Sequence, residues 1–289
     1  MVETRYLTLP EGRVAYDDQG AGPVVICMPG IGDIRAEYRL LTPQLLAAGF
    51  RVVTMDPRGQ GETSARWPDY SVAAIAGDAL ALARELRAGP VYLIGNSRAG
   101  GVAAWAAAEA PELVAGVVMI APFARDSATP RWQARLLHLG MYTPLFSGPW
   151  GPVVWRRYMA TLYPTGKPDD LAPYLARVEA TMREPGRMRA LLAIFAPAEV
   201  SYNERLSRVT APSLIIFGTN DRDFAEPETE ARALASALGG PTRVELIAGA
   251  GHYPHAEMAE RTGALITAFL KELRDQRRAA SATEVAYGA

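Results

Sequence analysis

Ser97 stands in Val91-Tyr92-Leu93-Ile94-Gly95-Asn96-Ser97-Arg98-Ala99-Gly100-Gly101, where an apolar strand runs into a small-x-Ser-x-small turn. The alanine-rich run Val102 to Ala108 follows directly. A strand, this turn and a helix in that order hold a serine with its oxygen exposed and little steric freedom. Gly95 and Ala99 flank the serine because larger side chains would collide where strand and helix cross. A helix that starts at Arg98 also points free backbone N–H groups at the same spot, where a negative oxygen is stabilised. Such a residue suits nucleophilic attack on a carbonyl carbon.

A serine hydroxyl needs a base to take its proton and a third group to hold that base. With only three histidines in the chain, the search for the base is short. His252 lies in Gly249-Ala250-Gly251-His252-Tyr253-Pro254-His255, between the last strand and the last helix. His255 leads into that helix and reads as structural. His138 sits mid-helix and can at most touch substrate. For the third group the loop Gly218-Thr219-Asn220-Asp221-Arg222-Asp223 offers Asp221 first and Asp223 in reserve, with Asp126 a remoter rival. The same loop also reads as an ordinary Asp/Asn/Gly turn.

The second anion-hole donor falls in Pro29-Gly30-Ile31-Gly32-Asp33, after another buried strand. The Ile31 N–H is the natural donor there, joining the N–H of Arg98. The Arg98 side chain has two readings, one at the pocket mouth attracting an anionic substrate and one on the helix surface. Gly30, Asn96, Trp132, His138, Trp155 and Tyr253 complete the expected pocket. This chemistry needs no metal and no organic cofactor, and no zinc-spaced Cys/His cluster or Walker loop is present.

These groups need a scaffold, and the pattern supplies one. Strands are expected at Tyr6 to Leu9, Arg13 to Asp17, Val24 to Met28, Arg51 to Met55, Val91 to Ile94, Leu113 to Ile120, Ser213 to Phe217 and Val244 to Ile247. Helices are expected at Glu37 to Ala48, Val72 to Arg87 with Ser71 as N-cap or first-turn residue, from Arg98, Glu228 to Leu238 and Glu257 to Leu273. Their alternation implies an α/β fold with a mainly parallel central sheet and helices on both faces. Between 123 and 212 the alternation breaks. That stretch holds three of the five tryptophans and ten of the 22 prolines. Its helical pieces are Trp132 to Leu139, Val153 to Leu162, Ala172 to Met182 and Arg187 to Phe195. It reads as an inserted helical lid, leaving 1–122 and 213–289 as the core. The tail from about Arg274 is polar and small and is expected to fray.

Composition narrows the function class. The 289 residues carry 30 basic and 31 acidic side chains, a formal net charge of −1, which argues against a dominant nucleic-acid surface. Cys27, the single cysteine, lies in an apolar run and excludes an intrachain disulfide. Met1 to Arg5 shows no signal-peptide pattern and no apolar run is long enough to span a membrane, so a soluble cytoplasmic protein is the default. The partner implied is a small-molecule substrate, with the oligomeric state left open. Gly30-Ile31-Gly32 after a strand looks superficially like a dinucleotide site, but Arg35 stands where the third glycine belongs.

Together these residues resemble the α/β-hydrolase fold superfamily over roughly 5–273. Asp56-Pro57-Arg58-Gly59-Gln60-Gly61-Glu62-Thr63-Ser64 looks like the family's Asp-x-Arg-Gly-x-Gly-x-Ser loop. Gly218 to Asp221 is similar to its acid loop, and Gly251 to Glu257 to its histidine loop. The chain order Ser, Asp, His is the one expected for this arrangement. Pro29-Gly30 departs from the family's frequent His-Gly. Serine at 97, where dehalogenase and epoxide-opening members carry aspartate, argues against both of those chemistries. The resemblance implies a serine hydrolase of carboxylic esters of small apolar or aryl substrates, working through an acyl-enzyme. Gly95-Asn96-Ser97 is also similar to hydrolases that cleave carbon–carbon bonds in ring-fission diketone acids. A third reading is a small-molecule receptor with a vestigial triad.

Overall fold

The computed structural model describes residues 2–126, 129–196 and 201–287, with side chains through Ala280. Eight strands build one sheet: β1 (Arg5–Leu9), β2 (Gly12–Gln19), β3 (Val24–Met28), β4 (Arg51–Met55), β5 (Val91–Asn96), β6 (Val114–Ile120), β7 (Ser213–Gly218) and β8 (Thr242–Ile247). Their order across the sheet is β1-β2-β4-β3-β5-β6-β7-β8. β2 pairs antiparallel with β1 and β4, and the remaining pairs are parallel. All eight expected strands are present, and the α/β architecture is the one the sequence implied.

The central strands are buried on both faces, so they are continuously apolar rather than alternating. Their side chains still divide by the two-residue period. Ile26, Leu93, Val117 and Ile215 pack against α2 (Val72–Leu86) and α3 (Arg98–Glu109) on one face. Cys27, Ile94, Val118 and Ile216 pack on the other against α1 (Thr42–Ala47) and the C-terminal helix, through Leu45, Ile266 and Leu270. The Ser71 hydroxyl caps α2, accepting the Ala74 N–H at 3.1 Å.

Two helical expectations change. The stretch from Glu37 to Ala48 is a 3-10 turn over Arg35–Arg39 followed by the separate α1. Pro43 is the cause: it has no N–H to continue a helix and suits a new first turn. The tail from Arg274, expected to fray, continues the last helix, which spans Ala259–Tyr287. From Arg274 to Tyr287 there is no Pro or Gly, so nothing in the chemistry of the tail breaks the helix.

Between β6 and β7 the described residues form helices and no strand: α4 (Arg131–Leu137), α5 (Thr143–Ser147), α6 (Gly151–Thr161), α7 (Leu171–Met182), α8 (Arg187–Phe195) and α9 (Asn203–Leu206). Helices α5 to α8 share a core of their own, in which Phe146, Trp155, Met159, Tyr174 and Leu191 pack with Ile34, Tyr253 and Ala256 from the sheet loops, whereas α9 joins the core on the α2/α3 face through Leu206. α4 takes no part in either: none of its residues is buried. No described helix is long and apolar enough to cross a membrane.

Candidate active site

Parallel strands deliver their following loops to one edge of the sheet, the usual place for ligands in such folds. The loops after β3, β5, β6, β7 and β8 meet there. Ser97 lies between β5 and α3 in a backbone conformation of φ 55°, ψ −129°, which non-glycine residues rarely adopt. Its N–H donates to the Ile120 carbonyl at 2.8 Å, and its carbonyl accepts from Gly100 and Phe123. These bonds over-determine the turn. A Cβ at Gly95 would strike the Ala99 carbonyl oxygen, and one at Gly101 the Phe123 carbonyl. Close crossing of strand and helix therefore requires the small residues the sequence shows.

His252 is buried, and its Nδ1 lies 2.8 Å from Asp221 Oδ2. Asp223 Oδ2 is farther, at 3.8 Å, and the Asp223 carboxylate is engaged by the Tyr158 hydroxyl at 2.8 and 2.9 Å. Asp126 lies elsewhere, accepting from Ser201 Oγ and the Tyr202 N–H. Burial alone would depress the imidazole. The hydrogen bond and charge of Asp221, with smaller help from Asp223 and Glu37, hold it above its ordinary value instead. The Asn96 amide donates to the His252 carbonyl at 3.1 Å and so ties the histidine loop to the serine strand.

The loop after β3 is clamped on both sides of Ile31. The Gly30 N–H donates to Glu37 Oε2 at 2.9 Å, and the Gly32 N–H to Gln60 Oε1 at 2.9 Å. Among the described residues the Ile31 and Arg98 N–H groups have no partner. Behind the loop lies a buried polar cluster. His255 stacks on Tyr38, and its Nε2 lies 3.0 Å from Glu37 Oε1 without hydrogen-bond alignment. Asp33 accepts from the Tyr174 hydroxyl. Burial pushes the Asp33 and Glu37 carboxyls up to about 8 and the His255 imidazole down to about 3.

A cavity of about 500 Å³ is lined by Ile31, Ser97, Arg98, Trp155, His252 and Tyr253. That size suits a small organic ligand. Gly30 and Asn96 sit behind the wall: both are buried, and neither lines this cavity. Trp132, 63% exposed on α4, is not part of the lining. Neither is His138, whose ring meets the edge of Tyr142. Both were expected at the pocket. They miss it because α4 buries none of its residues, and from the turn that follows it is Tyr142, not His138, that reaches the cavity.

Sequence reasoning passed over Phe123, Arg125, Tyr142, Tyr158, Leu162, Ile194, Phe195, Tyr202 and, as a wall residue, Asp223. Phe123 had a signal, standing just past the end of β6 on the ligand edge. The aromatics of α6 and α8 had none, since core and cavity aromatics look alike in a helical pattern. Asp221, Asp223 and His252 place one ligand atom each within 4.8 Å of one another, the one such grouping among the described residues. A cation there would have to displace the His252–Asp221 hydrogen bond.

A family model described as alpha/beta hydrolase fold matches residues 23–259. A probable esterase of Oryza sativa subsp. japonica is 27% identical over 247 residues, covering 82% of this chain and 87% of that protein. The structure of a thermophilic esterase from Thermogutta terrifontis superposes with a TM-score of 0.76 at 22% identity, covering 94% of this chain and 99% of that one. A bromoperoxidase from Bacillus anthracis does so with a TM-score of 0.77 at 20% identity, covering 93% and 100%. Both structural likenesses carry the fold, and the difference between an esterase and a bromoperoxidase underlines that the fold does not fix the reaction.

Proposed function

The chain belongs to the alpha/beta hydrolase fold family, and from that premise we propose that it is a serine hydrolase of carboxylic esters. The observation that carries this reading is that Ser97, on its strained turn, and the His252–Asp221 pair line or back the same cavity. Ser97 Oγ attacks the ester carbonyl while His252 takes its proton, and Asp221 holds the imidazole in the working tautomer and stabilises its charge. The oxyanion accepts from the Ile31 and Arg98 N–H groups. Collapse expels the alcohol, which receives its proton from His252, and leaves an acyl group on Ser97. Water, deprotonated by His252, then releases the acid and restores the serine. Residues 123–212 act as the lid, and the aromatic wall it supplies favours apolar or aryl groups.

Hydrolysis of a panel of short to long 4-nitrophenyl esters tests the reading. Wild type turns over at least part of the panel, and Ser97→Ala, prepared identically, loses roughly 10⁵–10⁶-fold in kcat. Turnover that survives in Ser97→Ala removes the nucleophile. Folded wild type inert on every ester shifts weight to carbon–carbon cleavage or a receptor role. The first of these alternatives draws on one specific observation, a guanidinium in the cavity wall.

A further inference from the structure

We propose that the substrate carries a carboxylate and that the Arg98 side chain binds it; this rests on the serine hydrolase reading. Arginines inside a protein need a counter-charge, because a lone buried ion loses its hydration without compensation. The other sequestered arginines of this chain obey that rule. Arg35 lies 2.5 Å from Asp56, Arg58 lies 2.6 Å from Asp78, and Arg125, in the same cavity wall, lies 2.8 Å from Glu230. Arg98 is the exception. It is half-buried, yet among the described residues no carboxylate comes within 4.0 Å of it.

Its partners are neutral. Nη2 donates to the Tyr70 carbonyl at 2.9 Å, and the Tyr202 phenol in the wall is a second, neutral hydrogen-bond partner. The Tyr70 and Tyr202 contacts orient the guanidinium and use only part of its five N–H donors, leaving others for an incoming anion. Arg98 follows Ser97 directly in the chain, and both line the cavity. A ligand whose carbonyl meets Ser97 can therefore present a charge to Arg98 from the same chain. Asp223, the acidic residue of the wall, is taken up by Tyr158 and stands beside His252. The cavity thus separates a negative side, next to the base, from an unneutralised positive side. A monoester of a dicarboxylic acid, or another acyl chain ending in a carboxylate, fits that polarity. A guanidinium recognises a carboxylate through two parallel N–H···O bonds, which also fixes orientation.

The test compares mono-4-nitrophenyl esters of succinic, glutaric and adipic acid with 4-nitrophenyl butanoate, pentanoate and hexanoate, the neutral chains of equal length. Wild type prefers the acid at one chain length by about tenfold to hundredfold in kcat/KM, the scale of a charge-assisted contact. In Arg98→Gln that ratio falls to one or below, whatever the absolute turnover, and Arg98→Lys retains part of it. A wild-type preference for the neutral chains at every length, or an unchanged ratio in Arg98→Gln, overturns the proposal while leaving ester hydrolysis intact. Calorimetric titration of wild type with free adipate and with adipamide reads the site without a variant and without turnover. Tighter binding of adipate supports the carboxylate site even if no ester is cleaved, and equal binding of the two sinks it. The two readings therefore fail separately.

Discussion

At the scale of the residue, the pair that matters is Asp221 and Asp223, two carboxylates two positions apart with different surroundings. One is 2.8 Å from the imidazole, and the other is 3.8 Å away and held by a tyrosine. Asp221→Asn is expected to lower kcat by about 10³–10⁴-fold, because the amide no longer fixes the tautomer or stabilises the imidazolium. Asp223→Asn is expected to cost far less, and steady-state kinetics on one ester separates them. Equal losses would show that both acids share the task. The raised value of His252 also sets a pH dependence. In the proposed mechanism His252 is the base and works only when neutral, so rate is expected to fall as pH drops through that value. The acid limb of kcat/KM is therefore centred above the ordinary histidine value of about 6.5. A midpoint near 4 would transfer the base role to a carboxylate. The strand-to-helix turn that holds Ser97 and the glycine-flanked loop that holds His252 were legible in the sequence because both are local steric signals. The sequence ranked Asp221 ahead of Asp223, and the distances to the imidazole keep that order, but it gave no sign that Tyr158 of α6 takes up the second carboxylate.

Among the elements, α6 does more than cover the sheet. Trp155 donates from its indole Nε1 to the Gly32 carbonyl at 2.9 Å, and a Cβ at Gly32 would collide with its ring. Gly32 adopts φ 67° there, which glycine tolerates. The helical segment thus grips the loop that offers the Ile31 N–H. Trp155→Phe keeps most of the packing but leaves the Gly32 carbonyl without its donor. We expect a loss of about 1–3 kcal/mol in unfolding free energy, measured in urea. If the grip positions the donor, kcat falls while KM changes little. Lowered stability with unchanged kcat would assign Trp155 to packing alone. The sequence named Trp155 for the pocket but equally named Trp132, which is exposed. A helical repeat shows which residues share a face, and only tertiary packing selects the face that meets the cavity.

Across the whole molecule, the buried cluster behind the Ile31 loop sets the balance of stability with pH. Asp33 and Glu37 titrate at about 8 in the folded protein, against about 4 in an unfolded chain. Between those values the folded state keeps protons that the unfolded state has released, so stability falls as pH rises. His252, also raised, acts in the same direction. His255, lowered to about 3, acts in the opposite sense, but only below about 6.5. The melting temperature is therefore expected to fall steadily from about pH 6.5 to 8.5. Glu37→Gln, which keeps a neutral acceptor for the Gly30 N–H, should flatten that slope. A flat profile in wild type would mean that both carboxyls are ionised in the folded state.

Sequence alone determined the order of strands and helices, the strand-to-helix turn at Ser97 and the loop that carries His252. Each is written in short-range sterics, where a glycine, a proline or an apolar run acts on its immediate neighbours. Tertiary structure alone decided that Tyr158 takes up Asp223, that Trp155 rather than Trp132 reaches the cavity, and that Arg98 lacks the counter-charge of its fellow arginines. Those are relations between groups far apart in the chain, and no local pattern encodes a distance across the fold.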